Sequence, residues 1–228
     1  MRFGQQNLHA SNKLFAGRML FTETKDKEIS DILNASNTMF DSMGSYQHHD
    51  AITGTAKQAV ADDYSHLLYE SMQTSNAQFE NIIAHYADHH ADLTASWNLC
   101  TVSNSTYTAC GVEEGTEEFA VTSFNPSALE VDIQTFKVPP STSYDVQVYD
   151  EAEGWQSAKS TLLCYDYLEN NDAHSSYEDC NLHVKAKAKA QQITYMKLKA
   201  NFDSAQHGEL ATDTDTITTE TSSLKYTG

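Results

Sequence analysis

The period of the apolar residues changes once along this chain, close to Trp97. Before that point apolar residues recur at steps of three and four, the spacing that places side chains on one face of a helix. Beyond it they alternate with polar residues in short runs, as in half-buried strands, between turn signals such as Asn125-Pro126 and Pro139-Pro140. We therefore expect an α+β protein, with helices first and a β-sandwich-like region after them.

Three apolar stripes mark the helices, and Asp26 and Glu28 mark the start of the second one. Helices joined by short links should pack as an antiparallel three-helix bundle, which we place at residues 10–97. The three stripes are Leu14, Phe15, Met19 and Leu20; Ile29, Ile32, Leu33, Ser36, Phe40 and Met43; and Val60, Tyr64, Leu67, Leu68, Ser71, Ser75, Phe79, Ile82, Ile83 and Tyr86.

Five segments past Trp97 predict strands, because they alternate or are rich in β-branched and aromatic residues. We therefore place a partial β-sandwich at residues 98–228. We expect truncation at its end, because the threonine-rich run from Ala211 to Gly228 adds no closing element. The predicted strands are Phe119–Val121, Val131–Ile133, Tyr144–Tyr149, Leu182–Val184 and Ile193–Leu198.

The net charge of the chain is -18, from 14 basic and 32 acidic residues. Such a charge repels a phosphate backbone, so nucleic acid is not an expected partner. The basic run of Lys185, Lys187 and Lys189 alternates with alanine, which indicates the exposed face of a strand. No window approaches the roughly 20 apolar residues that a membrane-spanning helix needs.

Four cysteines fall as two close pairs, Cys100 with Cys110 and Cys164 with Cys180, each across a polar stretch. This spacing suits two local disulfides in an oxidising compartment, with free thiols in a cytosolic protein as the alternative.

Two Asn-x-Ser/Thr sequons, at Asn34 and Asn104, are candidate N-glycosylation sites. The first residues lack the apolar core of a secretory signal. We therefore expect Met1 not to be the biological start and the chain to be a piece of a longer protein.

His48, His49 and Asp50 lie between the second and third predicted helices, where imidazole and carboxylate are good zinc ligands. Adjacent residues on a helix point about 100° apart, so His48 and His49 are not expected to bind one ion together. Gly54 suits a left-handed turn, and Thr53 or Thr55 should cap the next helix.

A second candidate comprises His85, Asp88, His89 and Asp92, which share one helix face. Tyr86 stands where a His-Glu-x-x-His zinc motif needs its glutamate. We interpret this group as a solvated helix face.

A family resemblance rests on residues 47–57, Gln-His-His-Asp-Ala-Ile-Thr-Gly-Thr-Ala-Lys, and on Asp63-Tyr64 after them. These residues resemble the central segment of the class II α-mannosidases, glycoside hydrolase family 38. The bundle, the loop between Cys100 and Cys110, and Phe124-Asn125-Pro126 are similar to the lysosomal branch. The resemblance implies a lysosomal or vacuole-like lumen, with the Golgi lumen as the alternative.

The resemblance also implies roles for the motif residues. His49 is the expected zinc ligand, Asp50 the expected contact to the sugar, and His48 a supporting residue. The other zinc ligands, the nucleophile and the acid/base of retaining hydrolysis belong in this family to an N-terminal domain that we do not find in the chain. The expected partners are thus that domain and an α-mannoside of an N-glycan, and the isolated chain should be inactive.

Two other interpretations stay open. The chain could be a non-catalytic carbohydrate-binding or interaction module derived from such an enzyme. Residues 48–50 could also be structural, with capping as their role.

Overall fold

The computed structural model describes residues 2–102, 108–109, 112, 115–165, 179–202, 216–218 and 223–225. It confirms the α+β class: four helices come first and antiparallel sheets follow. The helices are α1 Arg2–Phe21, α2 Asp26–Tyr46, α3 His49–Ile52 and α4 Gln58–Ala91. The three long ones pack on one another as the predicted bundle. None of the helices described combines the length and apolar character of a membrane span.

The buried face of α2 differs from the predicted stripe by part of a turn. Ile32 and Met43 are buried as expected, but Ala35 and Met39 complete the contact with α1 and α4. The prediction was wrong for Leu33 and Phe40, which are 47% and 54% exposed. Ala35 is so small that it lets the helices approach closely, and its low hydrophobicity hid it from the pattern.

The other two stripes are largely confirmed, with exceptions at their ends. Leu14 and Phe15 of α1 are buried, and so are Leu68, Ser71, Ser75, Ile82 and Ile83 of α4. Leu20, Val60 and Leu67 are exposed, contrary to prediction.

Two antiparallel sheets form the sandwich, and each of the five predicted strands is confirmed. One sheet has the order β3-β9-β5-β6 and the other β4-β8-β7. Their facing side chains form a buried core around Val146, Leu182, Met196 and Leu198. The strands are β1 Thr101–Val102, β2 Thr108–Ala109, β3 Glu118–Phe124, β4 Val131–Val138, β5 Ser143–Asp150, β6 Gly154–Ala158, β7 Ser160–Tyr165, β8 Asp179–Ala188, β9 Ile193–Asn201, β10 Thr216–Thr218 and β11 Ser223–Lys225. The last two pair as a short hairpin in the segment where no closing element was expected.

The Cys164–Cys180 disulfide is confirmed and links β7 to β8. Cys100 is disulfide-bonded as well, so the free-thiol alternative fails for these three cysteines. Its predicted partner Cys110 lies outside the described residues, as does the sequon at Asn104.

Two surface features concern the basic run and the first sequon. Lys185 and Lys187 are exposed on β8 while the alternating Ala186 and Ala188 are buried, which confirms the strand-face interpretation. Asn34 is exposed on α2, which leaves the first sequon accessible.

Candidate functional site

The sequence His48-His49-Asp50 occupies the connection between α2 and α4. His48 is the residue before α3, with φ -52° and ψ 138°, so its backbone is not helical. Its carbonyl oxygen accepts hydrogen bonds from the amides of Ala51 and Ile52, at 2.9 and 3.0 Å, and thereby starts α3. The chain turns sharply at this residue.

This turn brings the three side chains together. One potential ligand atom from each residue lies within 4.8 Å of the other two. The ring centroids of His48 and His49 are 4.3 Å apart, and Nε2 of His49 is 3.8 Å from Oδ1 of Asp50. The expected divergence of the two imidazoles does not occur, because it assumed that both residues belong to one helix.

The loop after α3 fixes Asp50. Its carbonyl oxygen accepts hydrogen bonds from the amides of Thr55 and Ala56, at 3.0 and 3.1 Å. The Thr55 hydroxyl donates to Oδ1 of Asp50 at 2.9 Å. Gly54 has φ +73°, which confirms the predicted left-handed turn.

The predicted threonine cap of the next helix is wrong. Lys57 precedes α4 and makes no side-chain capping hydrogen bond. Thr55 is engaged with Asp50 instead, and Thr53 donates to the carbonyl of His49. Both hydroxyls thus stabilise the loop that carries the candidate site.

The donor set fits zinc. Two imidazoles and one carboxylate are common zinc ligands, and a catalytic zinc takes about three protein ligands plus an open position. The His49 side chain is 83% exposed, so an ion or a second domain can reach it. In the part of the chain that the structure describes, this is the one group of three or more such residues assembled closely enough for an ion.

The competing group is not assembled in that way. The rings of His85 and His89 are 4.1 Å apart, but Nδ1 of His89 is 2.8 Å from the carbonyl oxygen of His85. Asp88 accepts a hydrogen bond from Thr94 at 2.6 Å, and Asp92 ends α4 in a left-handed conformation. These contacts support the interpretation as a helix face.

Two tyrosines beside the site were missed as functional candidates. Tyr64 was assigned to the core stripe of α4, yet its ring lies 6.3 Å from that of His48. Tyr46 ends α2 and lies 5.9 Å from Tyr64. Their proximity depends on how α2 and α4 meet, which no local sequence pattern shows.

Comparison with known proteins finds similarity in the helical part of the chain. Residues 2–86 match the family model of the alpha mannosidase middle domain. The helical region is similar to this domain family. The motif at residues 48–50 lies inside the matched range, while the end of α4 and the β region lie beyond it.

Individual relatives also match only part of the chain. The chain is 32% identical over 90 residues to the lysosomal alpha-mannosidase of Felis catus and 32% over 92 residues to that of Bos taurus, or 40% of this chain in each case. It is 28% identical over 119 residues, half of the chain, to a probable alpha-mannosidase of Arabidopsis thaliana. The matched segments span 8%, 9% and 11% of those three relatives.

Proposed function

We propose that this chain contributes one side of the zinc centre of a retaining α-mannosidase acting on α-mannosyl residues of N-glycans. The observation that carries the proposal is the convergence of His48, His49 and Asp50 inside a region similar to the alpha mannosidase middle domain. In this proposal His49 is the metal ligand and Asp50 hydrogen-bonds the sugar. A bound zinc would act as a Lewis acid on sugar hydroxyls.

The local contacts support these roles. The Asp50 carboxylate is held through Oδ1 by Thr55, and its backbone is fixed by two loop amides. Such fixation keeps a sugar-binding carboxylate in place, which favours productive binding. The remaining ligands and the nucleophile come, in this proposal, from another domain that packs against the exposed His49.

The location proposed for this function is a lysosomal or similar lumen. Two observations support it: the Cys164–Cys180 disulfide, which suits an oxidising compartment, and the similarity to lysosomal relatives.

Zinc titration of the 228-residue chain tests the metal role. We expect weak binding that His49→Ala abolishes and that His9→Ala, at an exposed histidine of α1, leaves unchanged. An aryl α-mannoside should not be hydrolysed by this chain. Unchanged zinc binding by His49→Ala would favour the capping interpretation of residues 48–50 instead.

A groove on the β region favours a second candidate, a carbohydrate-binding module. The groove has a volume of about 730 Å³ and lies on the face of β9 and β5 opposite the sandwich core. Lys197, Gln147 and Ser157 lie side by side across β9, β5 and β6 and line it. Donors and acceptors arranged in this way suit a ligand rich in hydroxyl groups.

Calorimetry with an α-mannose oligosaccharide tests this candidate. Binding that is lost in Gln147→Ala and retained in His49→Ala would support a module that works apart from the metal site. Lys27→Ala, at an exposed position on α2, is the matched control. No heat of binding at millimolar sugar would rule the module out for this class of ligand.

A further inference from the structure

We propose that Tyr64 is a positioning residue of the candidate metal site and that it acts on His49 through the ring of His48. This inference rests on the metal role proposed above. It assigns a role to a side chain on a different helix from the motif, and it explains what the supporting histidine does.

Four rings form a continuous row from the bundle to the site. Tyr46 and Tyr64 have ring centroids 5.9 Å apart, Tyr64 and His48 are 6.3 Å apart, and His48 and His49 are 4.3 Å apart. The planes of successive rings are tilted by 41° to 48°. The two separations that involve Tyr64 lie in the range at which aromatic rings attract one another, and the two imidazoles are in direct contact.

The first ring of the row is anchored. Tyr46 packs against the buried cluster of Met39, Met43, Leu68 and Met72 in the bundle. Its hydroxyl lies 3.1 Å from the hydroxyl of Ser65, the residue after Tyr64 on α4. Tyr46 therefore ties the end of α2 to the start of α4, and the Tyr64 ring rests on a fixed neighbour.

The last two rings depend on such support. His48 and His49 are exposed, and His48 makes no side-chain capping hydrogen bond to α3. An exposed imidazole without a fixed neighbour samples several rotamers. It loses this conformational freedom when one of its nitrogen atoms must be held in place to bind an ion. The Tyr64 ring limits the positions of His48, and the His48 ring in turn limits those of His49.

Core packing alone does not account for Tyr64. It is half-buried, and in the part of the chain that is described it belongs to none of the buried clusters of the bundle, whereas Tyr46 does. Its ring contacts instead lead from Tyr46 to His48. This placement indicates a role at the site more than in the stability of the bundle.

Zinc titration of the full 228-residue chain tests the inference, with the ring-proton resonances of His49 as a second readout. We expect Tyr64→Ala to weaken zinc binding about three- to tenfold, the range for loss of one aromatic pair, and to reduce the zinc-induced shift of the His49 resonances. Tyr64→Phe keeps the ring and should bind zinc as the parent chain does. Tyr69→Ala, at an exposed tyrosine of the same helix, is the matched control.

A pair of substitutions at His48 separates positioning from coordination. His48→Phe retains a ring but no nitrogen, so it should bind zinc more tightly than His48→Ala. Equal loss in both variants would mean that His48 coordinates the ion itself, which would overturn the inference.

The possible failures are distinguishable. If His49→Ala abolishes zinc binding but Tyr64→Ala leaves it unchanged, the inference fails and the proposed function stands. If the parent chain shows no zinc-dependent shift at His49, both fail. Urea unfolding of each variant shows whether Tyr64→Ala is folded, and weaker binding by the folded Tyr64→Phe to the same extent as Tyr64→Ala would also contradict the inference.

Discussion

At the scale of single residues, Arg18 is a charged side chain that is buried in the bundle. Its side chain is 6% exposed and donates to both carboxylate oxygens of Glu28, at 2.7 and 2.9 Å. It also donates to the hydroxyl of Thr22 at 2.7 Å, and the hydrogen bonds to Glu28 raise the pKa of the guanidinium. A buried cation with this geometry joins α1 to α2, and removal of its partner leaves charge without compensation.

Glu28→Gln should therefore lower the free energy of unfolding by about 1.5–3 kcal/mol, the range for hydrogen bonds to charged groups. The exposed pair Lys27–Asp31 on the same helix provides the control. Asp31→Asn should change stability by less than about 0.5 kcal/mol, because solvent screens a surface ion pair. Urea unfolding monitored by circular dichroism measures both. Equal losses of unfolding free energy in the two variants would show that the buried pair of Arg18 and Glu28 contributes no more to stability than the exposed pair does.

His85 should make the stability of the fold depend on pH. Burial lowers the pKa of its imidazole, and the nearby positive charge of Arg18 lowers it further; His89 and His90 act in the same direction and Glu28 in the opposite one. The unfolded chain therefore binds a proton at a higher pH than the folded chain does. Stability should fall as the pH drops through about 6.5, the unfolded value, towards the lower folded one.

Urea midpoints at about pH 7 and about pH 5 test this dependence. We expect His85→Gln to lose less stability over this interval than the parent chain does. His9→Gln, which removes an exposed imidazole from α1, should behave as the parent chain. A parallel pH profile for His85→Gln and the parent chain would exclude His85 as the source.

Individual residues also show what sequence could not predict. His48, His49 and Asp50 were found because their side chains carry metal chemistry wherever they lie. The convergence of both imidazoles was missed, since it depends on the backbone of His48 outside α3. The caps assigned to Thr53 and Thr55 failed for a similar reason: each hydroxyl had a nearer acceptor in the loop.

At the scale of elements, the helices and strands were predictable because burial imposes a period on each. The strand at Ile193–Leu198 was expected from alternation and became the longer β9, between β3 and β5. The buried face of α2 was less predictable, because it depends on how the neighbouring helices pack against α2. Periodicity alone gives Leu33 and Phe40 the same weight as Ile32 and Met43.

The Cys164–Cys180 bond links β7 to β8, and Cys180 is buried in the sandwich core. The two cysteines are 16 residues apart, and closing a loop of about that length stabilises a fold by about 3 kcal/mol. The double variant Cys164→Ala/Cys180→Ala should lose a comparable amount, measured from guanidinium unfolding in the absence of reductant. The loss should include a smaller part from the cavity at Cys180, which the single variant Cys180→Ala compared with Cys164→Ala would reveal.

At the scale of the whole molecule, the helices and the sandwich share buried side chains. Phe124 and Ile193 of the sandwich pack against the cluster that contains Ile82 and Ile83 of α4. Tyr195 of β9 is buried with Ala87, Ala91 and Leu93 in a second shared cluster. Burial raises the pKa of the Tyr195 hydroxyl, as expected for a phenol at an apolar seam. The sequence predicted the bundle and the sandwich but not the seam between them. The residues at the seam follow the same periodicity as the rest of their own strand or helix, so the pattern does not distinguish them.

A shared core of this kind should make the two parts unfold together. Helical ellipticity reports on the bundle. Tryptophan fluorescence reports on the sandwich and the seam, because Trp155 lies next to Tyr149 on the sheet and Trp97 packs against the shared clusters. In the parent chain the two signals should give one urea midpoint. Tyr195→Ala removes a large ring from the seam, which typically lowers stability by about 3–5 kcal/mol, and should separate the midpoints. Ala substitution of the exposed Tyr69 should leave them coincident, and two midpoints in the parent chain would mean that the bundle and the sandwich are stable independently of each other.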